Sequence, residues 1–186
     1  MSYNTPLASV SQFGVVKVGS GIAVSNGVIS TTGTFVAGDV GYFYSSVTQP
    51  NSLPINIVTM NGTTLSQGVT LQGGSRLTVS KTGNYTLQST IQFTKSTAAG
   101  PASTGFFWLR KNGLDVLDSA ADVITTSAGA GVIVAINFTL PLVSGDYLEI
   151  AWNADQANSE LVALPAVVIP PARPSAPSVR MTLLQV

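Results

Sequence analysis

The chain has 186 residues; 45% are hydrophobic but only 9% are charged, and the formal net charge is zero. With no basic excess to neutralise phosphates, nucleic-acid binding is not expected. Cysteine and histidine are both absent, which excludes a disulfide framework, the usual zinc sites, Cys–His nucleophiles and a Ser–His–Asp triad.

The first twelve residues are polar and read as an extended arm. They lack a basic n-region and an apolar h-region, so no signal peptide is expected, and no apolar run reaches membrane-spanning length, so no membrane insertion is expected. Next comes FGVVKVGSGIAVSNGVIS, residues 13–30. Its alternating apolar residues and its Asn26-Gly27 pair predict a β-meander of very short strands, because a type I′ hairpin needs positive φ at both central positions. A meander this small buries too little surface to be stable alone. Phe13, Val15, Val16, Val18, Ile22, Val24, Val28 and Ile29 are therefore its candidate docking residues. Residues 1–40 form an expected N-terminal arm. Residues 41–52 read as a linker whose aromatics, Tyr42, Phe43 and Tyr44, pack on the base of the following domain.

The main domain is expected over 53–186. PINIVTM is a predicted strand, followed by a turn at Asn61-Gly62 and a loop with a weak strand around Val69 and Leu71. RLTV is the next strand. GNYTLQSTIQFTK, residues 83–95, organises the rest. Tyr85, Leu87, Ile91 and Phe93 share one face and Thr86, Gln88, Thr90, Gln92 and Thr94 the other, the period of two of a half-buried strand. After a small-residue loop at 96–104, FFWLRKNGLDVL predicts a hairpin with Asn112-Gly113 at its tip. VIVAINFTLPL places Val132, Val134, Ile136, Phe138 and Leu140 on one face. A Gly145-Asp146 turn leads into a strand with Leu148, Ile150 and Trp152 inward. Residues 164–178 are proline-rich and read as loop or polyproline-like chain, and SVRMTLLQV closes the chain as a strand. The pattern is all-β, an antiparallel sandwich with no helical period of useful length.

Four pieces in order, GNYTL at 83–87, WLRKNG at 108–113, LVSGDYLEI at 142–150 and the short final strand, resemble the C1q/TNF-like jelly roll over residues 53–186. The 13–30 segment resembles one repeated in bacteriophage tail fibres. Together these resemblances imply a phage virion surface protein made in the host cytoplasm, with an N-terminal attachment piece and a jelly-roll head. The expected partners are the chain itself, as a homotrimer, and other virion proteins of the capsid or tail. The implied role is a capsid decoration (cement) protein or a short fibre or spike. The alternative is a receptor-binding, lectin-like head that recognises a host surface glycan or protein. The resemblance also implies inner sheets packed around a threefold axis. If strands 85–94, 132–140 and 179–186 make that sheet, Thr86, Gln88, Thr90, Gln92, Asn137, Thr139, Leu184 and Val186 line the contact, a largely polar seam able to hydrogen-bond and trap water.

No enzyme and no cofactor are expected. Asp115, Asp118 and Asp122 cluster in sequence, but on a hairpin and loop where aspartate is ordinary turn chemistry. Asp146, Asp155 and Glu160 are too dispersed to argue for a calcium site. Gly73-Gly74 is followed by neither a Lys-Ser/Thr ending nor a helix, so it is not read as a phosphate cradle. Trp108 and Trp152 read as core residues, an exposed sugar-stacking ring being the alternative. The loops at 96–104 and 154–163 are candidate receptor contacts.

Overall fold

The computed structural model describes residues 22–25, 28–31 and 38–186, apart from 53, 98 and 99. Two compact units divide at Ala37 and Gly38. In the first, β1 (Ile22–Ser25) and β2 (Val28–Thr31) pair antiparallel, with Ser25 opposite Val28. That is the register a two-residue hairpin demands. The candidate docking residues Phe13, Val15, Val16 and Val18 lie outside the described residues.

Among its described residues the second unit holds fourteen strands, β3 (Val40–Ser45), β4 (Gln49–Pro50), β5 (Asn56–Ile57), β6 (Gly62–Gln67), β7 (Val69–Gln72), β8 (Arg76–Val79), β9 (Gly83–Lys95), β10 (Ser103–Lys111), β11 (Leu114–Asp115), β12 (Ala121–Thr125), β13 (Val132–Leu142), β14 (Tyr147–Ala154), β15 (Ser159–Leu161) and β16 (Val179–Gln185). They form two antiparallel sheets. One runs β4-β15-β9-β16-β3-β6, with β13 on the other side of β9; the second runs β11-β10-β14-β8-β7, with β12 and β5 beside β10 and β14. From β8 onward the longer strands step between sheets, β8 to β9, β10 to β13, β14 to β16. This is the path of a jelly-roll sandwich, and no helix occurs among the described residues.

The core is built from the alternation read in the sequence. Tyr85, Leu87, Ile91 and Phe93 of β9 and Val179, Met181 and Leu183 of β16 face Leu148, Ile150 and Trp152 of β14. Phe93 meets Phe107 edge-on at 5.7 Å, and Phe107 stacks on Trp152 at 6.1 Å. Such pairs add about 1 kcal/mol beyond the area they bury. Gly105 makes room for this cluster, since a Cβ there would sit 2.8 Å from Phe93 Cζ. Trp152 is core, as expected. Trp108 is not: it lies half-buried on the outer face of β10, its indole N–H donating to Asp115 Oδ1 at 2.8 Å.

Two stretches differ from expectation. Residues 41–52 do not form a linker: Val40–Ser45 is β3, paired to β16 on one side and β6 on the other. Phe43 is fully buried, while Tyr42 and Tyr44 point to the opposite side. In PINIVTM the strand is short, Asn56–Ile57 paired with β14, with the Val58 amide adding a bond to the Ile150 carbonyl at 2.9 Å. Asn56 instead turns its side-chain amide onto Asn51 Oδ1 at 2.8 Å and the Trp152 carbonyl at 3.4 Å.

Candidate self-association face

The sheet β13-β9-β16-β3-β6 has one side on the core and one away from it. Its register sets the outward side chains in rows. One row runs Val40, Leu184, Thr86, Thr139; the next runs Leu65, Tyr42, Thr182, Gln88, Asn137; the third runs Tyr44, Arg180, Thr90, Ala135. Gln92 and Ile133 start a fourth. Of the residues expected on this face, Thr86, Gln88, Thr90, Gln92, Asn137, Thr139 and Leu184 all lie in these rows, and Val186 is exposed just past the end of β16.

The chemistry differs from the expected polar seam. Tyr42 and Tyr44, placed by β3, bring aromatic rings to the face, and Leu65, Ile133 and Leu184 are exposed beside them. Arg180 is the one charge in these rows. Thr86 and Thr139 bond to each other at 2.9 Å. Among the described residues the side chains of Gln88, Asn137 and Thr182 find no partner, so water or another chain must satisfy them. Tyr44 is held by a close fit: its ring covers Gly62, where a Cβ would come within 2.2 Å of Cζ.

A buried carboxylate anchors the entry to β3. Asp39, just before β3, accepts from Ser80 Oγ at 2.8 Å, from the Lys81 amide at 3.1 Å and from Tyr85 Oη at 3.0 Å, and its other oxygen meets Lys81 Nζ at 3.1 Å. Burial alone would raise its pKa, but the donors and the Lys81 charge outweigh that and hold it below the ordinary carboxylate value. Burial and the adjacent carboxylate push the Tyr85 hydroxyl up to about 12. Another buried charge, Lys95, donates its ammonium to the Gly100 and Pro101 carbonyls. No sequence signal marked it.

The residues weighed for chemistry do not converge. Asp115 is taken up by Arg110 Nε at 3.1 Å and Trp108, Asp118 occupies a left-handed turn with φ 58°, and Asp122 lies on β12 opposite Phe106. Asp155 accepts from Ser103 Oγ and the Thr104 amide. Among the described residues no group of three or more acidic side chains could hold a metal ion. The loops at 96–104 and 154–163 do meet, since Asn158 Nδ2 donates to Thr97 Oγ1 at 2.8 Å; part of the second is β15 rather than loop.

Between β15 and β16 the proline-rich segment forms a laddered finger. Leu164 and Ala176 exchange backbone bonds at 2.8 and 2.9 Å, and Val167 and Arg173 at 2.9 and 3.0 Å. Both ends are tied to one residue of β9: the Val162 amide donates to the Gln92 carbonyl at 2.9 Å, and the Gln92 amide donates to the Ser178 carbonyl at 2.8 Å. The Gln92 side chain adds a bond to the Pro177 carbonyl at 2.6 Å. Pro165 and Pro174 have no N–H to supply rungs between the two pairs.

No protein-family model matches this chain, and no curated protein matches it. The solved structures similar to it include two of murine APRIL. Murine APRIL at pH 5.0 gives a TM-score of 0.48 at 14% identity over 80% of this chain and 99% of that one. Murine APRIL at pH 8.5 gives 0.49 with the same identity and coverage.

Proposed function

We propose that this chain is a non-enzymatic structural protein of a phage virion. It self-associates as a homotrimer through the face carrying Tyr42, Tyr44, Thr182, Gln88 and Leu184. The N-terminal arm attaches it to the particle, as a decoration protein or a short spike. The observation that carries the reading is that face: four rows across β13-β9-β16-β3-β6 with exposed apolar residues, unsatisfied amides and Arg180 as their one charge. Few ion hydration shells need to be removed to bury it, and its amides and hydroxyls gain partners across a symmetric contact. The resemblance of the 13–30 segment to tail-fibre segments supports the virion setting. Three arms on one trimer multiply modest single-arm affinities.

Immunogold labelling of purified phage particles with antibody to this chain tests the setting. Regular labelling on capsid or tail is expected. Particles that carry none of the chain contradict the virion role. A receptor-binding head draws on the joined loops around Thr97 and Asn158. Binding of the purified protein to host cells, with no labelling of particle-anchored sites, favours that reading.

A further inference from the structure

From Leu161 to Ala172 no side chain is polar. At the finger tip Val168 is 87% exposed and Ile169 is 74% exposed. A lone exposed Val or Ile is unremarkable, but an apolar tip lifted on a hydrogen-bonded stalk is a local cost in water. At the base of the same finger lies a groove of about 320 Å3, lined by Tyr44, Thr48, Leu164, Pro165, Ala176 and Pro177. Neither tip nor groove lining carries a charge. The inner rung, Leu164 with Ala176, forms the groove wall, and the outer rung stands three residues further out, roughly 10 Å along an extended chain. The stalk thus holds the tip away from its own groove.

We infer that the tip of one copy, Val168 and Ile169, seats in the Tyr44 groove of a neighbouring copy. This rests on the self-association reading above. Two observations choose a second copy as the occupant. First, Tyr44 belongs to both the groove and the outward face, so the groove continues the proposed contact. Second, the finger adjoins a face whose footprint is on the order of 24 by 20 Å, so a seated tip enlarges the contact toward the about 800 Å2 per partner that a stable interface buries. A knob and a socket at different places on one chain make a head-to-tail contact, which a threefold rotation closes into a ring.

The test uses the full chain. Val168→Asp and Ile169→Asp together place charges on an exposed tip, which leaves the fold intact by circular dichroism. Dilution followed by light scattering should show the double variant dissociating at a concentration at least tenfold above wild type. Ser46 also lines the groove, and because the chain has no cysteine, Ile169→Cys and Ser46→Cys chains, unfolded together and refolded, should form a mixed covalent dimer with a short bis-maleimide. Unchanged dissociation with no mixed cross-link overturns the finger contact and leaves the face reading standing. Wild type that stays monomeric at every concentration overturns the face reading itself.

Discussion

Asn112 Nδ2 donates to Asp146 Oδ1 at 2.7 Å, joining the two turns that mark this sequence most clearly. Asn112 and Gly113 have φ of 53° and 80°, as a type I′ turn requires. Asp146 closes the next turn by accepting from the Val143 amide at 2.9 Å, and its carboxylate meets Lys111 Nζ at 2.8 Å. Asn112 returns a bond, its Oδ1 accepting from the Tyr147 amide at 2.9 Å. The tip of the β10–β11 hairpin is thereby pinned to the β13–β14 turn.

Acid stability should follow Asp146. Burial works against its charge, but bonds from Lys111, Asn112 and Val143 and the Lys111 charge bring its pKa down to about 2 from 3.8. A folded pKa below the unfolded one means stability that is present above about pH 4 and is lost as pH falls toward about 2. The contribution is about 2 kcal/mol. Asp146→Ala should lower urea stability at pH 7 by about that amount and flatten the loss between pH 4 and 2. An unchanged acid limb would contradict it.

Alkaline stability should follow Tyr85 and Asp39. The raised tyrosine pKa, about 12 against 10, gives stability that is complete below pH 10 and is lost as pH rises from about 10 to 12. Tyr85→Phe should cost about 1–3 kcal/mol at pH 7, because Asp39 loses a donor in a buried site. It should also remove that alkaline loss. Equilibrium unfolding at pH 7, 9 and 11 reads both.

The position of Tyr44 can be tested through Gly62. A methyl group at Gly62 collides with the tyrosine ring, so Gly62→Ala should destabilise the fold or turn the ring off the face. Tyr44→Ala in the same chain should restore most of the loss. A double-mutant cycle is the measurement, and additive effects would place the ring elsewhere.

Much of this fold is legible in the sequence because its long strands keep a clean period of two. β9, β13 and β16 each show their core residues by alternation, and the Asn112-Gly113 and Gly145-Asp146 pairs mark the β10–β11 and β13–β14 turns. β3 escaped for a physical reason. Its inner positions are Gly41, Phe43 and Ser45, so the apolar period collapses to one residue. Gly41 is required because a Cβ there would come within 2.5 Å of Phe43 Cε2. Its outward tyrosines then read as apolar plugs rather than as a surface. The self-association face was accordingly expected without its tyrosines, as a largely polar seam with Leu184 and Val186 at one end. The finger was hidden for a different reason: prolines erase the strand pattern, while its rungs depend on pairing across Val167 and Arg173, which no local pattern announces.

Charge on the face should act on assembly and not on folding. Thr182 sits between Tyr42 and Gln88 in the middle row. Thr182→Lys would bring like charges together in a contact between copies, which disfavours assembly, while a solvated lysine costs the monomer little. Sedimentation should show monomers whose melting curve keeps a cooperative transition. Assembly that withstands the change would move the contact elsewhere.

The mass of the purified full chain in solution, measured by light scattering at low and high salt, bears most directly on the face. Three chains at both salt concentrations is the predicted result, since a contact with one charge per copy is little screened. A single chain at every concentration and salt would contradict the self-association face.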